Sequence, residues 1–213
     1  GLSQAVRLLH FPESMADVDV GRKRLAFDEL LFLQLYLGGI QQARENDTTR
    51  PLTVAGPLRQ ALMTALPFEL TRAQLHALSE IDSDLKRPFV MHRLLQGDVG
   101  SGKTVVAVLA MMAALDAGSQ AVLMAPTEVL AEQHAATLQT LVSELDLDIH
   151  LLTGRMRVSE RRRVLADLES GTARLVVGTH ALLQEDVRFA NLGLVVVDEQ
   201  HRFGVVQRSM LRG

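Results

Sequence analysis

The sequence predicts an α/β fold with a mostly parallel sheet covered by helices on both faces. Three observations carry that prediction. From Phe68 onward, helical stretches alternate with short apolar runs, and only a few residues link them. Such alternation is the pattern of parallel strands joined by helical crossovers. The runs are continuous and rich in Val and Leu, as strands buried on both faces require. A glycine-rich loop at 97–104 stands between one such run and a helix.

Thr71 can cap a helix over 71–85, with Leu75, Leu78, Ile81 and Leu85 turned inward. Residues 93–96 read as a short strand and 103–117 as a helix closed by Gly118. A strand is expected at 121–125, a helix at 128–145 and a strand at 149–152. A helix over 158–168 ends at Ser170-Gly171, and strands are expected at 175–177 and 194–197. Residues 1–66 differ. A helix is expected over 22–44, with Asp19 as its N-cap. Its apolar residues, Leu25 to Leu37, wrap most of the circumference, so it needs cover on several faces. A polar loop over 45–53 holds Pro51, and Pro57 opens a short helix over 57–66. The expected organisation is a helical linker, 1–66, and an α/β domain, 67–213.

Composition bounds the function. The chain has 213 residues, 47% hydrophobic and 22% charged, which is globular and enough for one sizeable core. It has no cysteine, which excludes disulfides and thiolate metal sites and fits a reducing compartment. No apolar run reaches the roughly eighteen residues of a membrane span. Gly1-Leu2-Ser3-Gln4 has neither a signal-peptide pattern nor an initiator Met, so an excised fragment of a cytoplasmic protein is expected. The net charge of -3 argues against a large phosphate-contacting surface. Arg155, Arg157, Arg161, Arg162 and Arg163 nevertheless cluster. They form either a solvated helix face paired with Glu160 and Asp167 or a phosphate-contacting patch.

Gly97-Asp98-Val99-Gly100-Ser101-Gly102-Lys103-Thr104 fits the phosphate loop G-x-x-x-x-G-K-[ST]. In such a loop, backbone N–H groups wrap the phosphates and glycines allow the close approach. Lys103 faces the β- and γ-phosphates, and Thr104 offers its hydroxyl to Mg²⁺. ATP and Mg²⁺ are therefore the expected cofactors. The loop needs an acid at the tip of a neighbouring strand, and Val195-Val196-Val197-Asp198-Glu199 supplies it. Two adjacent acids after a buried strand are costly unless they face solvent or a metal. Asp198 is the metal-side candidate and Glu199 the water-activating base; a solvated acidic turn is the alternative. Upstream, the Gln74 amide can pair with the N6 and N7 edge of adenine, and Phe68 can stack on the ring. A surface glutamine and a core phenylalanine are the plainer readings of those two.

Together these pieces resemble the first motor domain of superfamily 2 helicases, which implies a RecA-like domain. Gln74 stands where that superfamily reads adenine. Residues 97–104 resemble its motif I, and 125–133 (Ala-Pro-Thr-Glu-Val-Leu-Ala-Glu-Gln) its motif Ia. Leu152-Thr153-Gly154, Val177-Gly178-Thr179-His180 and Asp198-Glu199-Gln200-His201 match the superfamily's later motifs. The block 125–134, Gly178-Thr179-His180-Ala181 and residues 198–204 with Gln207-Arg208 are similar to the RecG family of branched-DNA translocases. Leu9-His10-Phe11-Pro12 and residues 24–31 look like that family's connection between wedge domain and motor. The Mfd family of transcription-repair coupling translocases shares the acid-His-Arg-Phe-Gly stretch.

The resemblance implies an ATP-dependent DNA helicase or translocase acting on branched double-stranded DNA, such as stalled forks and Holliday junctions, in recombination and repair. It implies Lys103, Asp198, Glu199 and His201 as catalytic residues, with His201 coupling nucleotide state to motion; a histidine satisfied in a turn is the alternative. Thr127, Thr179 and His180 would meet DNA phosphates, with helix capping as their other role. A monomer is expected, with a wedge domain before residue 1 and a second motor domain, bearing the arginine finger, after residue 213. Without that finger the fragment should turn over ATP slowly, if at all. An Mfd-like translocase and a non-motor nucleotide-binding module stay open as alternatives.

Overall fold

A computed structural model describes residues 1–45 and 48–199. Two compact units divide between Thr49 and Arg50.

The first unit pairs α1 (Leu2–His10) with α2 (Met15–Glu45). The two helices approach at Gly21, where an added Cβ would stand 2.8 Å from the Ala5 carbonyl oxygen. Helix α1 is not anticipated by the sequence pattern, and α2 starts earlier than expected. The Asp17 carboxylate accepts the Glu13 and Ser14 N–H groups, while Ser14 Oγ accepts the Asp17 N–H. This reciprocal capping satisfies the first turn at Ser14. Asp19, expected as the N-cap, therefore lies inside the helix. Gly38-Gly39 does not interrupt it. Phe27, Leu30, Phe32, Leu35 and Tyr36 of α2 are exposed.

The second unit begins at Arg50 rather than at residue 67. It comprises α3 (Pro57–Ala65), α4 (Arg72–Leu85), α5 (Lys103–Asp116), β1 (Gln120–Met124), α6 (Glu128–Leu141), β2 (Ile149–Leu152), α7 (Val158–Ser170), β3 (Leu175–Gly178) and β4 (Leu192–Val197). A short 3₁₀ turn, His180–Leu183, comes after β3. Residues 50–56 are loop by sequence pattern, yet Leu52 and Val54 are buried, and the Leu52 N–H donates to the Leu85 carbonyl at 2.8 Å. Arg59 is buried beside them. Its guanidinium donates to the Asp82 carboxylate at 2.6 and 3.0 Å and to the Val54 carbonyl at 3.0 Å. Helix α3 thus belongs to this unit and packs on α5.

The sheet is parallel throughout, in the order β2-β3-β1-β4. Side chains alternate between its faces, as strand geometry requires. Ala121, Leu123, Leu175, Val177 and Leu194 join α3, α4, α5 and α6 in one core. Val122, Met124, Leu152 and Val176 join Val164 and Leu168 of α7 in the other. The expected doubly covered α/β sheet is therefore present.

One expected strand is not. Residues 93–96 form no strand. Arg93 is drawn onto α4 by Glu80 at 2.9 Å and Asp84 at 2.8 Å, and Leu94 is 70% exposed. Helix α6 also stops short of residue 145, because the chain tightens into a turn in which the Leu145 N–H donates to the Val142 carbonyl.

The amino end of the sheet is pinned by Gln120, which is buried. Its amide nitrogen donates to the Leu168 and Ala173 carbonyls at 3.0 and 2.8 Å, and its amide oxygen accepts the Asn191 N–H at 2.9 Å. Among the described residues, no helix is long and apolar enough to cross a membrane.

Candidate functional site

The strands end level: Met124 is in register with Gly178 and Val197, and Leu152 with Gly178. The segments leaving the strands therefore collect along one edge. Thr127 comes after β1, Thr153-Gly154 after β2, Thr179-His180 after β3, and Asp198-Glu199 after β4. Helix α5 packs on β1 and β4 and is joined to β1 by only Ala117 to Ser119. It must run back along the strand, which brings its first residue, Lys103, to this same edge.

The loop before α5 has the conformation its glycines allow. Gly100 and Gly102 both have φ of +80°, the left-handed region that costs other residues about 1–2 kcal/mol. Gly102 is the N-cap of α5 and has no side chain to satisfy the first turn. The first N–H groups of a helix have no intrahelical acceptor, and they carry the positive end of its dipole. Lys103 Nζ donates to the Gly97 and Asp98 carbonyls at 2.7 and 2.8 Å, so its charge is held within the loop. The Ser101 N–H donates to the Asp98 carbonyl at 3.1 Å, closing a tight turn with Val99 fully exposed at its tip. Thr104 is half-buried in the first turn of α5. Free amides, an ammonium group and a hydroxyl at one helix N-terminus fit a polyphosphate with a divalent cation.

Gln74 meets this loop directly. The Thr71 N–H donates to Gln74 Oε1 at 2.8 Å, while Thr71 Oγ1 accepts the Gln74 N–H at 3.3 Å. Gln74 Nε2 donates to the Ser101 carbonyl at 2.9 Å. The amide thus caps α4 and props the 97–104 loop at once. Phe68 is half-exposed and lines a groove of about 550 Å³ with Met63, Leu66, Leu70 and Leu75.

Asp198 continues the β1–β4 ladder by one bond, from its N–H to the Met124 carbonyl at 2.9 Å. Its carboxylate is bonded by His134 Nε2 at 2.7 Å. Glu199 has a φ of +49°, uncommon for a residue with a side chain. His201, the fourth catalytic candidate, lies outside the described residues.

Thr127 is exposed and caps α6, its hydroxyl accepting the Leu130 N–H at 3.3 Å. Thr179 is 1% exposed, and its hydroxyl accepts the Ala181 N–H at 3.4 Å. His180 beside it is exposed. The arginine cluster divides. Arg161 bonds Gln184 and Asp186, not Glu160 or Asp167, and holds the Asp186 carboxyl below the usual carboxylate range. Arg155 pairs with Glu128, whose carboxylate also accepts the Arg155 N–H at 3.0 Å. Arg157, Arg162 and Arg163 are exposed.

Sequence reasoning misses His134 and Glu128 as parts of this edge. His134 has a readable sign. It shares a helix face with Ala131 and Leu138, both fully buried, so it is an imidazole at an inward position. Glu128 has none, because its partner lies across a crossover.

The model of the DEAD/DEAH box helicase family matches residues 71–212. The ATP-dependent DNA helicase RecG of Synechocystis sp. is 49% identical over 99% of this chain and 25% of its own length. That of Streptococcus pneumoniae is 49% identical over 98% of this chain and 31% of its own. The chain thus spans between a quarter and a third of these relatives. A structure of RecG bound to a three-way DNA junction superposes with a TM-score of 0.87 at 44% identity, covering 94% of this chain and 27% of that one. A hypothetical ATP-dependent RNA helicase from Sulfolobus tokodaii, 17% identical, shares the fold with a TM-score of 0.51 over 72% of this chain and 44% of its own. The family model covers most of the α/β unit: the chain belongs to the DEAD/DEAH box helicase family.

Proposed function

We propose that this chain is the ATP-binding motor portion of a RecG-type DNA helicase that remodels branched double-stranded DNA in recombination and repair. The observation that carries the reading is that Gln74 and Lys103 both bond the 97–104 loop at the N-terminus of α5 while Asp198 follows β4 on the same sheet edge, in a chain 49% identical to RecG over almost its whole length. The loop amides of residues 97–104 and the N-terminus of α5 hold the β- and γ-phosphates, and Lys103 leaves its loop carbonyls to balance their charge. Thr104 and Asp198 hold Mg²⁺, which when bound neutralises the phosphate oxygens. Glu199 takes the proton of the attacking water. Gln74 keeps one N–H and one lone pair beyond its contacts here, enough to read an adenine edge, and the Phe68 groove adjoins it. Thr127 and His180 face DNA phosphates, and the buried Thr179 caps the turn that starts at His180. Residues 1–49 connect to a wedge domain, and a second motor domain in cis supplies the arginine finger; the protein works as a cytoplasmic monomer.

Lys103→Ala tests the nucleotide site. Calorimetric titration of this chain with MgATP should show binding lost, and unchanged affinity would overturn the assignment. The DNA side is tested in the full-length protein. A three-way junction should raise ATP turnover, and turnover indifferent to DNA would favour a nucleotide-binding module instead.

A further inference from the structure

Asp198 stands at a strand end with 37% of its side chain exposed, where a carboxylate is otherwise free to rotate. The structure gives it a partner from a different element. His134 projects from the inward face of α6, between buried Ala131 and Leu138, and is 17% exposed. Its Nε2 lies 2.7 Å from Asp198 Oδ2. An ionised carboxylate only accepts, so the imidazole N–H donates. That bond engages Oδ2 and not Oδ1. The backbone on the other side is fixed as well, by the Asp198 N–H to the Met124 carbonyl. The carboxylate is thus held at both ends of its short side chain.

We propose that His134 is a positioning residue for the Mg²⁺ site: it orients Asp198 so that Oδ1 meets the hydrated cation, and it touches neither nucleotide nor metal. The inference rests on the nucleotide-site reading above. Such outer partners of metal ligands are typically worth 10- to 100-fold in metal affinity. His134→Phe keeps the ring and loses the donor. His134→Gln places an amide N–H the same number of bonds from the backbone as Nε2.

The test is calorimetric titration of this chain with ATP over a range of free Mg²⁺, and again in EDTA. Wild type should bind ATP more tightly as Mg²⁺ rises. H134F should need about tenfold more Mg²⁺ for half of that gain, with unchanged affinity in EDTA, which also shows the variant is folded. H134Q should restore most of the wild-type response. An H134F response equal to wild type overturns the positioning role alone, as does an H134Q response as poor as that of H134F. A wild-type affinity indifferent to Mg²⁺ overturns the metal-site reading and this inference with it.

Discussion

Gly102 answers two demands that no other residue meets together. Its φ of +80° lies in the left-handed region, and a Cβ there would collide with the Gln74 amide nitrogen. Gly102→Ala should therefore cost about 1–2 kcal/mol from the backbone alone. It should also push Gln74 off the Ser101 carbonyl and weaken ATP binding. Thermal melting and ATP titration of the variant read the two effects separately; a wild-type melting temperature with wild-type affinity would contradict both. At this scale the loop is legible because its motif is local: eight consecutive residues carry the conformation and the chemistry proposed for it. Gln74 is legible only by its place. Its spacing from Thr71 is that of a capping box, but nothing local shows that the same amide bonds a loop 27 residues away. The Asp198–His134 bond spans 64 residues, so only the inward position of the histidine hints at it.

Helix α3 starts without a cap of its own. Gly56 has no side chain to offer, and Pro57 has no N–H to satisfy. The next two N–H groups, of Leu58 and Arg59, donate to the two oxygens of Asp116 at 3.0 Å each. Asp116 is the last residue of α5, an unfavourable place for an acid on its own helix and a favourable one at the N-terminus of α3. Asp116→Ala should cost about 1–2 kcal/mol, the usual worth of an N-cap, and Asp116→Asn less, since it keeps an acceptor. Urea denaturation of the two variants measures the difference, and a midpoint equal to wild type in the alanine variant would show that water replaces the cap. The same contact ties α3 to this unit. Periodicity makes α4 legible, with Leu78, Ile81 and Leu85 on one face, whereas α5 is legible as an unbroken apolar run, Val105 to Leu115, between Gly102 and Gly118. Residues 50–56 hold only two buried side chains, Leu52 and Val54, in a short stretch with Pro51 and Gly56. Their anchoring depends on Arg59, Asp82 and Leu85, which no local pattern announces. Residues 93–96 fail the other way: they read as a strand locally, but Arg93 is held by α4.

The molecule divides its labour between the two ends of one sheet. Residues proposed for chemistry lie beyond the carboxyl ends of the strands, while Gln120 sits at the amino end and joins β1 to the carbonyls of Leu168 and Ala173 and to the N–H of Asn191. Removing that amide takes the partner from the Ala173 carbonyl and the Asn191 N–H, at about 1–3 kcal/mol for each group left unsatisfied, while the Leu168 carbonyl keeps the N–H groups of Gly171 and Ala190. Gln120→Ala should therefore lower stability by several kcal/mol. Strand β1 is five residues long, so the site lies about 17 Å away along it. The fraction of chains still folded should then bind ATP with wild-type affinity. Lys103→Ala should show the converse, since it removes an exposed ammonium whose contacts are two loop carbonyls: near-wild-type stability and no nucleotide binding. Measuring urea stability and ATP affinity on both variants separates the ends. If Gln120→Ala weakens ATP binding in the folded fraction as much as it weakens the fold, the sheet transmits strain along its length, and pinning and chemistry form one cooperative unit.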